Sequence, residues 1–170
     1  MKKQDAPKHK ALLIILPILA IATVAGILFA RTITPQQSAT TAQRFPLSSE
    51  YYAEQGALID ITAQDFENLI AEKKSFIVMA HMLICPAEAP LTTTVEQFTH
   101  DNPIVVLSLN ESEFKNTNLK QTIKYLPTAA IYHDGKLVAW LDAESNDDLP
   151  TYKSASAFKS WLSNRITLNP

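Results

Sequence analysis

The sequence predicts an α/β domain with a mixed sheet flanked by helices, preceded by one N-terminal transmembrane helix. Two uninterrupted apolar runs, 75–80 and 103–109, are typical of strands that are buried on both faces. A predicted helix separates them, so they pair through a crossover. An Asp-Gly turn at 134–135 joins the strands 128–133 and 136–141 into an antiparallel hairpin. Crossover and hairpin together make the sheet mixed.

Four helices are expected around this sheet. Thr62 can cap a helix N-terminus and Asp65 is favourable in the first turn, so one helix begins directly after Thr62. Apolar residues at helical spacing follow this box. The other three predicted helices cover residues 89–98, 117–125 and 154–166.

A membrane-spanning segment is predicted near the N-terminus. Residues 11–30 contain no charged side chain, and a helix of that length spans about 30 Å, the thickness of a bilayer core. The alternative is a cleaved signal peptide, whose apolar region normally ends after about 7 to 15 residues. Four lysines precede the run, whereas only Arg31 and Arg44 follow it before residue 70. The positive-inside rule therefore predicts a single-pass signal anchor in the cell membrane, with residues 1–10 cytoplasmic and the domain extracytoplasmic.

The remaining chain divides into a tether and one domain. Residues 31–50 are rich in Thr, Ser, Gln, Ala and Pro, a composition that predicts a flexible linker. Residues 51–170 have the length of one globular domain. The first ten residues carry net charge +3, so the overall −2 leaves −5 for the remainder. A net negative charge gives the domain no electrostatic attraction for nucleic acid, so no nucleic-acid partner is expected.

Three short motifs occur in an order and spacing that resemble the thioredoxin-like superfamily. They are CPAEAP at 85–90, Leu-Asn at 109–110, and Leu-Pro-Thr at 126–128 followed by Asp-Gly at 134–135. In the first motif, Cys85, Glu88 and Pro90 fit the pattern C-x-x-E-x-P. This pattern is similar to that of the membrane-anchored extracytoplasmic branch, which serves cytochrome maturation and disulfide reduction. The resemblance covers about residues 61–166.

The resemblance implies a binding loop and a degenerate active site. It makes Pro127 a cis-proline, and Pro127 and Thr128 would line the groove in which an extended peptide binds. It also makes Cys85 the second cysteine of a C-x-x-C motif, which puts Met82 in place of the nucleophilic first cysteine. Thiol–disulfide exchange needs a thiolate and a resolving thiol, and a thioether supplies neither.

Other interpretations of the same residues remain open. In a shifted register, Cys85 is the first cysteine and Glu88 replaces the second, which gives a single-cysteine thiol–disulfide oxidoreductase with Cys85 as its catalytic residue. Alternatively, His81, Met82 and Cys85 supply the soft ligands of a copper-binding module, with His133 as a further histidine. The plainest interpretation makes Cys85 a partly buried apolar residue at a helix start and His81 a surface residue.

The preferred interpretation is a membrane-tethered thioredoxin-like domain that lacks dithiol redox activity. It binds an extended segment of a partner protein outside the membrane and acts in assembly or folding. No resident metal or cofactor is expected, because one cysteine cannot form a cysteine metal cluster.

Overall fold

The computed structural model describes residues 44–82 and 90–169 of the 170-residue chain. They all belong to one compact unit. The predicted membrane segment at 11–30 and the motif residue Cys85 lie outside the described residues. Within the part of the chain that is described, no helix has the length and hydropathy needed to cross a bilayer.

Residues 44–82 and 90–169 contain seven strands, which form two sheets. The strands are β1 (Phe45–Pro46), β2 (Ala57–Asp60), β3 (Phe76–His81), β4 (Val105–Asn110), β5 (Thr128–His133), β6 (Lys136–Trp140) and β7 (Ile166–Thr167). The main sheet has the order β2-β4-β3-β5-β6, and a small sheet pairs β1 with β7 in parallel. β4 is parallel to both β2 and β3, whereas β5 is antiparallel to β3 and β6.

Helices surround the main sheet. They are α1 (Ala63–Ala71), α2 (Pro90–Asp101), α3 (Glu111–Phe114), α4 (Leu149–Lys153) and α5 (Ala155–Ser163), with 3₁₀ turns at Ser49–Tyr51 and Asn118–Gln121. α1 begins with a complete capping box, in which Thr62 and Asp65 bond each other's backbone N–H groups.

The core is built around β3. All five residues from Phe76 to Ala80 are fully buried, and since successive side chains point to opposite faces, both faces of the sheet must be covered. Phe66 of α1 packs edge-on against Phe76, with ring centroids 6.0 Å apart. Phe98 of α2 and Phe158 of α5 pack edge-on at 5.2 Å.

This architecture confirms the predicted mixed sheet flanked by helices, and the domain is thioredoxin-like. The runs at 75–80 and 103–109 form β3 and β4, and the Asp-Gly turn closes the β5–β6 hairpin. Asp134 has φ 50° and Gly135 has φ 72°, the left-handed values that a two-residue hairpin turn requires.

Two predicted helices are wrong in extent. In the predicted helix 117–125 only a 3₁₀ turn forms, Asn118–Gln121, and it closes with the Thr122 N–H bonded to the Leu119 carbonyl three residues before it (3.0 Å). The helix predicted over 154–166 ends at Ser163, and Ile166 pairs with Phe45 in the small sheet.

Several elements lack a local sequence signal. Strand β2 and helix α4 were not predicted from the sequence. Residues 44–50, which the composition placed in the tether, lie in the folded unit. Among them Leu47 is buried, and the Ser48 N–H donates to the Ser75 carbonyl at 2.8 Å.

The hairpin turn gives a stability prediction. A Cβ at residue 135 would lie 2.4 Å from the Ile70 carbonyl oxygen, in addition to the unfavourable positive φ. Gly135→Ala should therefore lower the free energy of unfolding by at least about 1–2 kcal/mol. Urea unfolding of the full chain, followed by the fluorescence of its two tryptophans, measures this loss. The exposed neighbour provides the control, since Lys136→Ala should change stability by less than about 0.5 kcal/mol. Equal stability of the two variants would contradict the described turn.

Candidate functional site

The ends of the central strands lie together on one side of the main sheet. We use the word edge for this line of strand ends. β3 and β4 run in parallel and finish together, with His81 paired to Asn110. β5 begins at this same edge, because Ala80 near the end of β3 pairs with Thr128. The residues that follow β3 and precede β5 are thereby brought together.

The end of β6 completes this edge. Trp140, the last residue of β6, pairs with Ala130 near the start of β5. We call this region the Pro127 edge and define it by five residues: Met82, Tyr125, Pro127, Thr128 and Trp140.

Hydrogen bonds hold the loop at Pro127 against the residue that follows β6, Leu141. The Leu126-Pro127 bond is cis, which confirms the prediction made from the resemblance. The Tyr152 hydroxyl lies 3.1 Å from the Pro127 carbonyl oxygen and 3.2 Å from that of Leu141, and donates to them. Burial raises the pKa of Tyr152 far above its usual value. The hydroxyl therefore stays protonated as a donor at any physiological pH.

A second link reaches the helix after the C-x-x-E-x-P motif. The Thr94 hydroxyl on α2 donates to the Tyr152 carbonyl at 3.0 Å, in a buried position. Tyr152 thus connects α2 to the Pro127 loop through its backbone and its side chain. Thr128 adds a third contact, since its buried hydroxyl donates to the Leu141 carbonyl at 2.7 Å.

Large apolar side chains are exposed along the Pro127 edge. The exposed fractions are 45% for Met82, 48% for Tyr125 and 42% for Trp140. A pocket of about 270 Å³ lies beside the loop, lined by residues 122–125 and 140–144. Tyr125 and Trp140 both line this pocket, and exposed apolar side chains that lie together in this way are a feature of interaction sites.

The predicted binding residues play different parts. Pro127 is partly exposed at the edge, whereas Thr128 is fully buried. The side chain of Thr128 therefore supports the loop from inside and offers no surface of its own. The predicted catalytic residue Cys85 lies outside the described residues. The last described residue before it is Met82.

The two histidines of the copper hypothesis lie at opposite ends of the sheet. His81 follows the buried part of β3 at the Pro127 edge, where its Nε2 is 3.1 Å from the Ser108 hydroxyl. His133 ends β5 at the far edge, where it stacks on Phe45 at 3.9 Å and its Nδ1 is 3.1 Å from the Ser75 hydroxyl. His133 therefore cannot join His81 in one site. Among the described residues, no three His, Cys, Asp or Glu side chains form a group that could hold a metal ion.

The sequence analysis did not identify Tyr125 and Trp140 as residues of the Pro127 edge, nor Tyr152 as the residue that supports it. The alternation in KLVAW places Lys136, Val138 and Trp140 on one face of β6, and the charge of Lys136 indicates that this face is solvated. That pattern could have identified Trp140 as exposed. No local pattern identifies Tyr152, because its two acceptors are distant in sequence.

No family model matches the chain, and no curated protein matches its sequence. Among solved structures, the chain is similar to the reduced thioredoxin pre-protein of Schistosoma mansoni, with 17% identity over 64% of this chain and 98% of that one, and a TM-score of 0.47. It is also similar to oxidised thioredoxin from Plasmodium falciparum, with 17% identity over 63% and 96% of the two chains and a TM-score of 0.47. Thioredoxin f from spinach chloroplast shows 17% identity over 62% and 97%, with a TM-score of 0.45. The assignment of the fold rests on the strand order and pairing of this chain.

The Tyr152 contacts give a prediction for the loop. Tyr152→Phe removes the donor shared by the Pro127 and Leu141 carbonyls, and should lower the free energy of unfolding by about 1–3 kcal/mol. Urea unfolding compares this variant with Tyr125→Phe, whose exposed hydroxyl makes no hydrogen bond to a described residue and whose substitution should be neutral. If both variants match the parent chain, the hydroxyl does not stabilise the loop.

Proposed function

We propose that this chain is a membrane-tethered extracytoplasmic protein whose thioredoxin-like domain binds an extended segment of a partner protein at the Pro127 edge. It does so without dithiol exchange and acts in the assembly or folding of that partner. The observation that carries the proposal is the exposure of Tyr125 and Trp140, which line one pocket beside the loop that Tyr152 holds.

The residue types at the Pro127 edge suit the binding of a polypeptide segment rather than a reaction with it. Apolar and aromatic side chains bury a large contact area at a small cost in side-chain entropy, which suits recognition of polypeptide. One hydrogen bond from Tyr152 holds the Pro127 carbonyl, and two more, from Tyr152 and Thr128, join the loop to the Leu141 carbonyl. A loop that is already ordered loses little further entropy when a segment binds.

The absence of exchange follows from Met82. By the resemblance, Met82 occupies the position of the attacking cysteine, and the chain has no cysteine besides Cys85. A mixed disulfide at one thiol has no internal resolving thiol, so it would persist. The tethering part of the proposal rests on the uncharged run at 11–30 and the lysines before it.

Site-specific photocrosslinking in intact cells tests the binding surface. A photoreactive amino acid at Tyr125 should give protein adducts, because this side chain would lie in the interface. The matched control positions are Glu54 and Glu72, both exposed and at the opposite edge of the sheet, and these should give none. A soluble unfolded protein in excess should reduce the Tyr125 adducts in membrane preparations. Equal adducts at all three positions, or none at Tyr125, would contradict the proposed interface.

The redox part of the proposal has its own test. The full chain should not reduce insulin with dithiothreitol as electron donor, because any mixed disulfide at Cys85 would stall. Met82→Cys should restore a C-x-x-C pair that oxidises within the chain, seen as the loss of two free thiols. Met79→Cys, at a buried position of β3, provides the matched control and should form no such disulfide. Insulin turnover by the parent chain would instead establish the single-cysteine oxidoreductase.

A further inference from the structure

The pocket beside the Pro127 loop combines aromatic and acidic side chains. Tyr125 and Trp140 line one part of it, and Asp142 and Glu144 line another. Both aromatic rings are nearly half exposed. Within residues 44–82 and 90–169, the one cation over an aromatic ring is Arg165 over Trp161, so neither pocket ring has such a partner.

The carboxylates of the pocket outnumber the positive side chains that line it. None of the salt bridges among the described residues involves Asp142 or Glu144. Among the described residues, the carboxylate of Asp142 accepts only the hydrogen bond from the Glu144 N–H, at 3.0 Å. Residues 137–152 contain four carboxylates and neither Lys nor Arg. Lys124 is the one positive side chain in the lining, so the pocket has a net negative charge.

The size of the pocket favours a side chain as its occupant. Its volume of about 270 Å³ falls below the roughly 300–1,000 Å³ of sites that enclose a drug-sized ligand. An exposed aromatic ring with carboxylates beside it is an environment that suits a guanidinium group. The flat face of the guanidinium stacks on the ring, and its N–H groups bind the carboxylate oxygens.

We infer that the partner segment carries an arginine side chain that enters this pocket, stacks on Trp140 and Tyr125, and binds Asp142 and Glu144. This inference deepens the proposed function and rests on it, because it specifies the chemistry of the segment that binds at the Pro127 edge. Lys124 opposes the incoming charge and therefore limits the affinity.

Two labelled peptides test the inference on the full chain in a nonionic detergent. One is a short extended peptide of alanine and valine with a central arginine, and the other has citrulline there, which keeps the shape and removes the charge. Fluorescence anisotropy measures both affinities. The arginine peptide should bind about tenfold more tightly, and higher salt should reduce the difference.

Variants locate the effect in the pocket. Asp142→Asn combined with Glu144→Gln should remove most of the preference, and the asparagine oxygen can still accept the local backbone hydrogen bond. Trp140→Ala should reduce it independently. Lys124→Ala should act in the opposite direction and tighten binding of the arginine peptide. Glu54→Gln combined with Glu72→Gln changes the same net charge at the far edge and should leave the preference intact.

The outcomes separate this inference from the proposed function. Equal binding of the two peptides, with Tyr125 adducts still formed in cells, overturns the arginine preference and leaves the partner interface standing. A preference that the far-edge variant also abolishes is a general charge effect and overturns the pocket. If neither peptide binds and Tyr125 forms no adducts, both the inference and the proposed function fail.

Discussion

β3 is buried on both faces, and the placing of the helices around the sheet follows from this burial. Five consecutive buried residues, Phe76 to Ala80, leave no side of the central strand for solvent or for a ligand. Helices must cover the sheet above and below this strand, so β3 leaves free surface only where it ends. This is the general rule for α/β sheets, whose ligands bind outside the carboxyl ends of the parallel strands. The Pro127 edge lies at the carboxyl ends of β3 and β4.

The Pro127 edge is supported by a short helix, α4, which lies outside the main sheet. α4 has five residues, yet it carries Tyr152, which reaches both the Pro127 loop and the end of the β5–β6 hairpin. The same residue is tied to α2 through Thr94. Such a scaffold remains intact whether or not a nucleophile stands next to it, because none of these contacts uses a thiol. The support of the loop therefore does not depend on a reactive cysteine.

Local signals in the sequence predicted the centre of the fold well. The apolar run of β3, the Asp-Gly turn and the Thr62 capping box are each determined by neighbouring residues, and each was found where the pattern placed it. The pairing of β1 with β7 joins the two ends of the domain sequence, so no window of neighbouring residues could reveal it.

The site was predicted less completely than the sheet. The resemblance identified Pro127, but neither the buried state of Thr128 nor the support from Tyr152 can be read locally, since both depend on the carbonyl of Leu141. The end of the last helix was missed for a similar reason. Ile166 continues the apolar face of the helix and also suits a strand, and only its pairing with Phe45 decides between them.

The stacking of Phe45 on His133 has a mechanical consequence. The chain enters the domain at this contact, at the end of β5 that lies opposite the Pro127 loop. The Tyr52 hydroxyl reinforces the entry, because it accepts from the Leu47 N–H and donates to the Thr167 carbonyl. A force applied to the preceding segment would therefore be borne first by β7 and the Tyr52 contacts. The hydrogen bonds of Tyr152 lie outside that path, so such a force would not pass through the contacts that hold the Pro127 loop.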